Sequence, residues 1–278
     1  MATISFLGTG LLGAAFAEAA AARGDIVTAW NRTAHKAQAL ARFGVKAATS
    51  PADAVRGSSR VHLVLRDDAV VEEVIAAARP GLAVGALLLD HTTTQPALTA
   101  ERARRLRSEG LNYLHCPVFM GPAAARQAQG SMMVAGPKDL FDRVEGELAP
   151  MTGRLEYLGE RPDLAAIHKL FGNAMIIGLV GIMADVLALA SASGVAAEDA
   201  IARLRLLDAN AMVARRGTAM AKRDFTASFE LAMARKDIGL MLETIGDGPA
   251  AVLPALAARM DELIAAGHGD KDTCALAL

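Results

Sequence analysis

The sequence predicts an α/β fold: a doubly wound, mostly parallel sheet in the first half, a C-terminal all-α domain, and a long helix joining them. Three observations carry this reading. Short apolar runs alternate with helical stretches over residues 1–162, at the pitch of strand–helix–strand units. Residues 163–278 show helical patterning and no strand-like run. Apolar residues make up 53% of the chain and aromatics only 4%, so the core must be filled by Ala, Leu, Val, Ile and Met, as suits a helix-rich α/β protein.

Taken in order, residues 4–7, 26–30, 61–65, 87–90, 113–118 and 132–135 read as strands. Between and after them, residues 11–22, 33–43, 68–78, 95–109 and 138–151 read as helices, placed by alternation on both faces of the sheet. The character changes near Gly159, and the junction between domains is expected near residues 153–163. From 163 to 193 there is no Pro, and only Gly172, Gly178 and Gly181 interrupt a helix that is apolar nearly all round. Such a helix is expected to lie buried between neighbours. Gly194 stands where a left-handed C-cap belongs, and helices over 197–208, 209–222, 229–245 and 252–266 complete the chain.

Charge and composition exclude several classes. Lys and Arg total 29 against 30 Asp and Glu, a net charge of −1. That balance argues against a nucleic-acid partner and against a disordered acidic tail. The two cysteines, Cys116 and Cys274, fit no CxxC spacing, and a reduced, cytoplasmic setting is expected. No basic leader precedes the first strand, so a signal peptide is not expected. The longest uncharged apolar run, 15 residues over 170–184, stops at Asp185 and suits a buried helix better than a membrane span. No His/Cys/Asp cluster has metal-ligand spacing, so no metal is expected.

Gly8-Thr9-Gly10-Leu11-Leu12-Gly13 is a GxGxxG run directly after the first strand and at the start of a helix. In that context it reads as a dinucleotide site of a Rossmann-type domain. Gly8 permits the tight turn, Gly10 the approach of the pyrophosphate, and Gly13 close packing of helix on strand. The helix N-terminus attracts the phosphates. The second strand ends Trp30-Asn31-Arg32-Thr33, with no acid to take a ribose 2′-hydroxyl. Arg32 could instead pair a 2′-phosphate bidentately, with Asn31 and Thr33 adding hydrogen bonds, so NADP is expected in preference to NAD. The bland alternative is that Thr33 caps the next helix and Arg32 is merely solvated.

Lys169 and Asn173 stand at i, i+4 on one face of the long, otherwise apolar helix. A lysine there either snorkels to solvent or sits in a site that shifts its pKa. Several ordered segments resemble the β-hydroxyacid dehydrogenase family, which includes 3-hydroxyisobutyrate dehydrogenase, tartronate semialdehyde reductase and glyoxylate/succinic semialdehyde reductases. They are Gly8–Gly13 with Trp30–Thr33, Leu89–Pro96, Cys116–Val118, Lys169-Leu170-Phe171-Gly172-Asn173 and Arg235–Leu240. The resemblance covers nearly the whole chain. It implies that Lys169 is the general acid in carbonyl reduction and the base in alcohol oxidation, that Asn173 positions substrate and lysine, and that Lys236 lies near the cofactor. It also implies that Leu65 and Thr93 line the nicotinamide side. A cationic donor is what an oxyanion formed by hydride addition requires.

The sequence departs from the family where the substrate binds. The usual Asp-Ala-Pro-Val-Ser-Gly-Gly loop is replaced by His115-Cys116-Pro117-Val118-Phe119-Met120-Gly121. Phe119 stands at the serine position and Met120 at the first glycine, so these two, with Gly121, are expected to shape a pocket for a substrate larger or less polar than 3-hydroxyisobutyrate. The GxG usually preceding the lysine gives way to Asp163 and Ala165. Imine reductases share the architecture and often carry Val-Phe here but usually lack the lysine; imine reduction, or a non-catalytic cofactor-binding module, is the alternative. His115 and Cys116 are expected to be structural, as are His268 and Asp270 at the end of the last helix. The small-molecule substrate, a homodimer or homotetramer, and no membrane partner complete the expectations.

Overall fold

The computed structural model describes residues 2–278. The chain divides into two compact units, the first ending at Gly172 and the second running Asn173–Leu278.

In the first unit β1 (Thr3–Leu7) leads through α1 (Leu11–Ala22) to β2 (Ile26–Trp30), α2 (Ala34–Gln38) and β3 (Lys46–Ala47). After α3 (Pro51–Val55) come β4 (Arg60–Leu63), α4 (Asp68–Ala78), β5 (Leu87–Asp90), α5 (Pro96–Ser108) and β6 (Asn112–His115). β7 (Val118–Phe119), α6 (Pro122–Arg126), β8 (Ser131–Ala135), α7 (Lys138–Asp142), α8 (Glu145–Leu148) and β9 (Arg154–Gly159) follow. The sheet order is β3-β2-β1-β4-β5-β6-β8-β7, with β9 paired to β8. Its first six strands are parallel; β8 runs antiparallel to β6 and β7 and parallel to β9. Strand order reverses between β1 and β4, and in such sheets ligands bind outside the carboxyl ends at that point.

Both faces of the sheet are buried, which is why the strands read as continuous apolar runs. Ile4, Phe6, Leu87 and Leu89 join α1 residues such as Phe16 in one core. Leu7, Val61, Leu63 and Leu88 join Val71 and Ile75 of α4 and Leu106 of α5 in another.

Within the first unit, four stretches depart from the sequence reading. Residues 113–118 are not one strand: Pro117 has no N–H to donate, and the chain breaks into β6 and β7. Residues 33–43 give only α2 before a 3₁₀ turn, Ala39–Phe43, that Gly44 ends at φ 81°. Residues 138–151 give α7, α8 and a 3₁₀ turn containing Pro150. Residues 154–159, expected as linker, form β9; the alternation Arg154-Leu155-Glu156-Tyr157 was its signal.

α9 (Leu164–Ala192) spans 29 residues, and the division between units falls within it. The second unit continues with α10 (Ala197–Leu204), α11 (Ala209–Met212), a π turn (Val213–Gly217), α12 (Thr218–Lys222), α13 (Leu231–Ile245) and α14 (Leu253–Ala265). Its core gathers Leu231, Ile238, Leu253, Met260 and Leu263, with Ile182 and Leu189 of α9 against it. Gly194 ends α9 at φ 67°, the conformation a C-cap glycine takes.

The expectation that α9 is buried is overturned. Its most apolar 18-residue window has a mean hydropathy of 2.2, long and apolar enough to cross a membrane by length and composition, yet only 11% of that window is buried within the chain. Ile177 is 69% exposed and Val180 58%. One chain does not supply enough neighbours to surround a helix apolar on every side.

Candidate active site

The carboxyl ends of β1, β2 and β4 build the glycine turn. The Gly8 amide donates to the Trp30 carbonyl at 2.8 Å. Gly8 adopts φ +99°, and a Cβ there would lie 2.2 Å from the Val64 carbonyl oxygen. A Cβ at Gly13 would lie 2.0 Å from the Gly8 carbonyl oxygen, so strand and helix can pack only without it. Gly10 is different. Its φ is −65°, and a Cβ there would meet no protein atom within 4 Å. Neither backbone strain nor protein packing demands glycine at this position, which leaves the close approach of a ligand. α1 starts there with no side-chain cap and no acid in its first turn, so its free amides can receive an anion. The residues present therefore fit a dinucleotide.

A cleft of about 300 Å³ lies at this end, lined by Gly8, Gly10, Asn31, Arg32, Thr33 and Leu65 among others. Arg32 is exposed there. Thr33 holds the N-cap position of α2, but its side chain makes no capping bond. Asn31 plays a part the sequence did not disclose: its Oδ1 accepts from the Thr9 amide at 3.0 Å and its Nδ2 donates to the Thr33 carbonyl at 3.1 Å. It ties the glycine turn to the end of β2. Lys36, Arg66 and Glu73 also line the cleft and were not anticipated. Leu11 is exposed at the start of α1, and Leu12 packs against the core.

Beyond β5, Thr93 is exposed between two buried threonines. Thr92 Oγ1 accepts from the Leu65 amide at 3.1 Å, so the loops bearing Leu65 and Thr93 are tied together. Thr94 Oγ1 lies 2.7 Å from Thr99 Oγ1 and 3.1 Å from His115 Nε2. Beneath them is a buried histidine array. His91 Nδ1 lies 2.8 Å from the Cys116 carbonyl, which can only accept, so His91 carries its proton on Nδ1. Its Nε2, 2.9 Å from His62 Nδ1, then accepts from His62. His62 Nε2 and His115 Nδ1 are left as buried lone pairs without donors. Burial, with His91 alongside, holds the His62 pKa well below the usual range; burial lowers His91 to about 4. His115 and Cys116 are buried parts of this framework.

Lys169 is half-buried on α9, and burial lowers its pKa from that of a free lysine. Its Nζ lies 3.9 Å from the centroid of the Phe119 ring. Phe119 itself packs with Met133, Ala135, Leu158, Leu164 and Ala165. Met120 packs against the sheet core, and Gly121 is the N-cap of α6. Asn173 follows Lys169 by one turn on α9. In the second unit, Lys236 is exposed on α13, 3.0 Å from Asp237.

Family models match both halves. The NAD binding domain of 6-phosphogluconate dehydrogenase matches residues 3–159, and the NAD-binding domain of NADP-dependent 3-hydroxyisobutyrate dehydrogenase matches 165–278. Glyoxylate/succinic semialdehyde reductase 1 of Arabidopsis thaliana is 26% identical, over 98% of this chain and 96% of its own. A probable 3-hydroxyisobutyrate dehydrogenase of Mycobacterium bovis is 27% identical, over 99% and 97%. Among solved structures, a reductive aminase of Aspergillus terreus in complex with NADPH, cyclohexanone and allyl amine superposes with a TM-score of 0.90 at 25% identity. An imine reductase of Myxococcus stipitatus in complex with NADP+ does so at 0.89 and 24%, which speaks to the fold. Both cover 99% of this chain and 98% of their own. Fold and site define an NAD(P)-dependent oxidoreductase of the hydroxyacid-dehydrogenase type. The chain belongs to the β-hydroxyacid dehydrogenase family.

Proposed function

We propose that the protein uses NADP(H) to interconvert a carbonyl and an alcohol, with Lys169 as the proton-transfer group. The observation that carries the reading is the half-buried Lys169, whose pKa burial lowers towards the working range. When bound, the dinucleotide supplies or accepts the hydride. Gly8, Gly10 and Gly13, with Thr9, Leu11 and Leu12, would hold its pyrophosphate side, Asn31, Arg32 and Thr33 its 2′-phosphate, and Leu65 and Thr93 its nicotinamide side. Asn173 would orient substrate and lysine. The exposed Arg32 and uncommitted Thr33 hydroxyl support NADP over NAD.

The Phe119 and Met120 side chains offer no hydrogen-bond donor where the family carries a serine hydroxyl, and both pack among apolar residues. A substrate larger or less polar than 3-hydroxyisobutyrate follows. Imine reduction is the second reading, favoured by the likeness to the Aspergillus terreus reductive aminase.

A panel of semialdehydes, 3-hydroxy acids and cyclic imines, run with NADPH and NADH on wild type, Lys169→Ala and Arg32→Ala, separates these. Lys169→Ala should lower kcat for carbonyl reduction about 10²–10⁴-fold with NADPH binding unchanged. Arg32→Ala should erase the preference for NADPH. Imine reduction that survives loss of Lys169, with negligible carbonyl reduction in wild type, would establish the second reading instead.

We also infer that a second copy of the chain covers α9, because Ile176, Ile177, Val180 and Met183 make an exposed apolar stripe. Light scattering should give a dimer or tetramer, which Val180→Glu dissociates. A wild-type monomer that partitions into detergent would point to a membrane and overturn this.

A further inference from the structure

β7 is two residues long and pairs antiparallel with β8 at the end of the sheet. Alternation along it sends Val118 into the sheet core and Phe119 to the opposite face, against the first turns of α9. There Ala165, Lys169 and Gly172 share one helix face at i, i+4, i+7. Ala165 packs in the cluster that holds Phe119. The Lys169 ammonium stands over the ring at 3.9 Å. A Cβ added at Gly172 would lie 2.2 Å from Phe119 Cζ and 2.6 Å from Cε1, so the ring can occupy this place only because residue 172 has no side chain. Glycine within a helix is disfavoured, and neither a positive φ nor a chain end explains this one.

We propose that Phe119 is a positioning residue: its ring face holds the Lys169 ammonium, and Gly172 admits the ring to the helix. The proposal rests on the reading that Lys169 transfers the proton. The ring quadrupole attracts the cation while the apolar cluster excludes water around it. A long, flexible side chain is thereby restricted to one of its rotamers. Phe119, at the position where the family carries serine, would then act on the lysine rather than on a carboxylate.

The contact can be read without knowing the substrate, from the rate at which acetic anhydride acetylates Lys169 at fixed pH, followed by peptide mass spectrometry. Phe119→Leu keeps an apolar side chain but removes the ring face, and should raise that rate roughly 2- to 30-fold, the range a partly desolvated cation–π contact allows. Phe119→Tyr should hold the wild-type rate. Gly172→Ala should raise it as Phe119→Leu does, because the added Cβ displaces the ring. In the double variant Gly172→Ala should add nothing further. With any carbonyl the wild type reduces, Phe119→Leu should lower kcat and leave KM for NADPH unchanged. An unchanged acetylation rate in Phe119→Leu, or Phe119→Tyr behaving like Phe119→Leu, would overturn the role of the ring. A full additional effect of Gly172→Ala in the double variant would overturn the role of Gly172. If no carbonyl is turned over, the catalytic reading of Lys169 fails, and the acetylation series still decides the contact.

Discussion

The two units differ in the titratable groups they bury: a histidine array in the first, capping carboxylates in the second. The first holds neutral histidines: His62, His91 and His115 lie fully inside, each keeping a single proton, with bare lone pairs at His62 Nε2 and His115 Nδ1. The second holds ionised carboxylates. Asp272 Oδ2 accepts from the Ser228 amide at 2.9 Å and hydroxyl at 2.8 Å and from the Phe229 amide at 3.1 Å. Its Oδ1 accepts from the Cys274 amide at 3.0 Å and from Arg216 at 2.6 Å. Asp185 takes the amides of Ala251, Val252 and Leu253 at the start of α14, from 66–68 residues away. Burial alone would push both carboxyls up; the amides outweigh it and hold them below the usual carboxylate range. A buried group is tolerated when its charge is removed, as in these histidines, or when its charge is fully hydrogen-bonded, as in Asp185 and Asp272; the first unit uses the second route too, where buried Arg102 pairs with Asp68, Glu72 and Asp90.

Removing a hub tests this most severely. Asp272→Ala leaves Arg216 and three amides without their acceptor and should cost on the order of 3–5 kcal/mol in urea unfolding, with the loss of amide protection centred on the second unit. A loss under about 1 kcal/mol, or one spread evenly over both units, would dissolve the contrast.

Acid should separate the units next. The folded pKa of His91 is lowered to about 4, below its unfolded value near 6.5. The folded state therefore resists protonation, and its stability is complete above pH 6.5 and declines as pH falls from there towards 4. For His91 alone that is about 3 kcal/mol. Asp185 and Asp272 have folded pKa values below their unfolded ones, so what they contribute persists above the ordinary carboxylate range and is lost only below it. Hydrogen exchange at pH 7, 5.5 and 4.5 (roughly spanning the histidine range) should show protection falling in the first unit before the second. Parallel loss in both would mean that the histidines are not the acid-sensitive groups.

Local caps should matter least. Ser50 Oγ accepts from the Asp53 amide at 3.1 Å at the start of α3. Ser50→Ala should cost about 1 kcal/mol, against the several expected for the remote carboxylate. A cost equal to that of Asp272→Ala would mean that range of contact is not what distinguishes the two.

Much of the first unit was legible because its signals are local. Gly8, Gly10 and Gly13 are read together since a strand, a turn and a helix start are consecutive in the chain. Arg32 was placed by its distance from a strand end. The helical second half was legible from its periodicity. The breaks at Pro117 and at residues 138–151, and the short β9, were missed because each depends on a single residue or on six residues of alternation. Asn31, expected to serve the ligand, also braces the turn, a role set by Thr9, 22 residues away in sequence. The interior glycine at 172 was a visible anomaly, but nothing in the sequence connected it to Phe119.

The class of fold, the dinucleotide turn and the lysine on the long helix follow from local pattern, because each lies within one or two elements. Tertiary structure decided which groups face each other: the ring over Lys169, the histidine tautomers, the carboxylates beneath α14 and beside Arg216, and the exposure of α9. The physical reason is that hydrogen bonds and packing act over a few ångströms in space, between residues that here stand 25 to 68 apart along the chain.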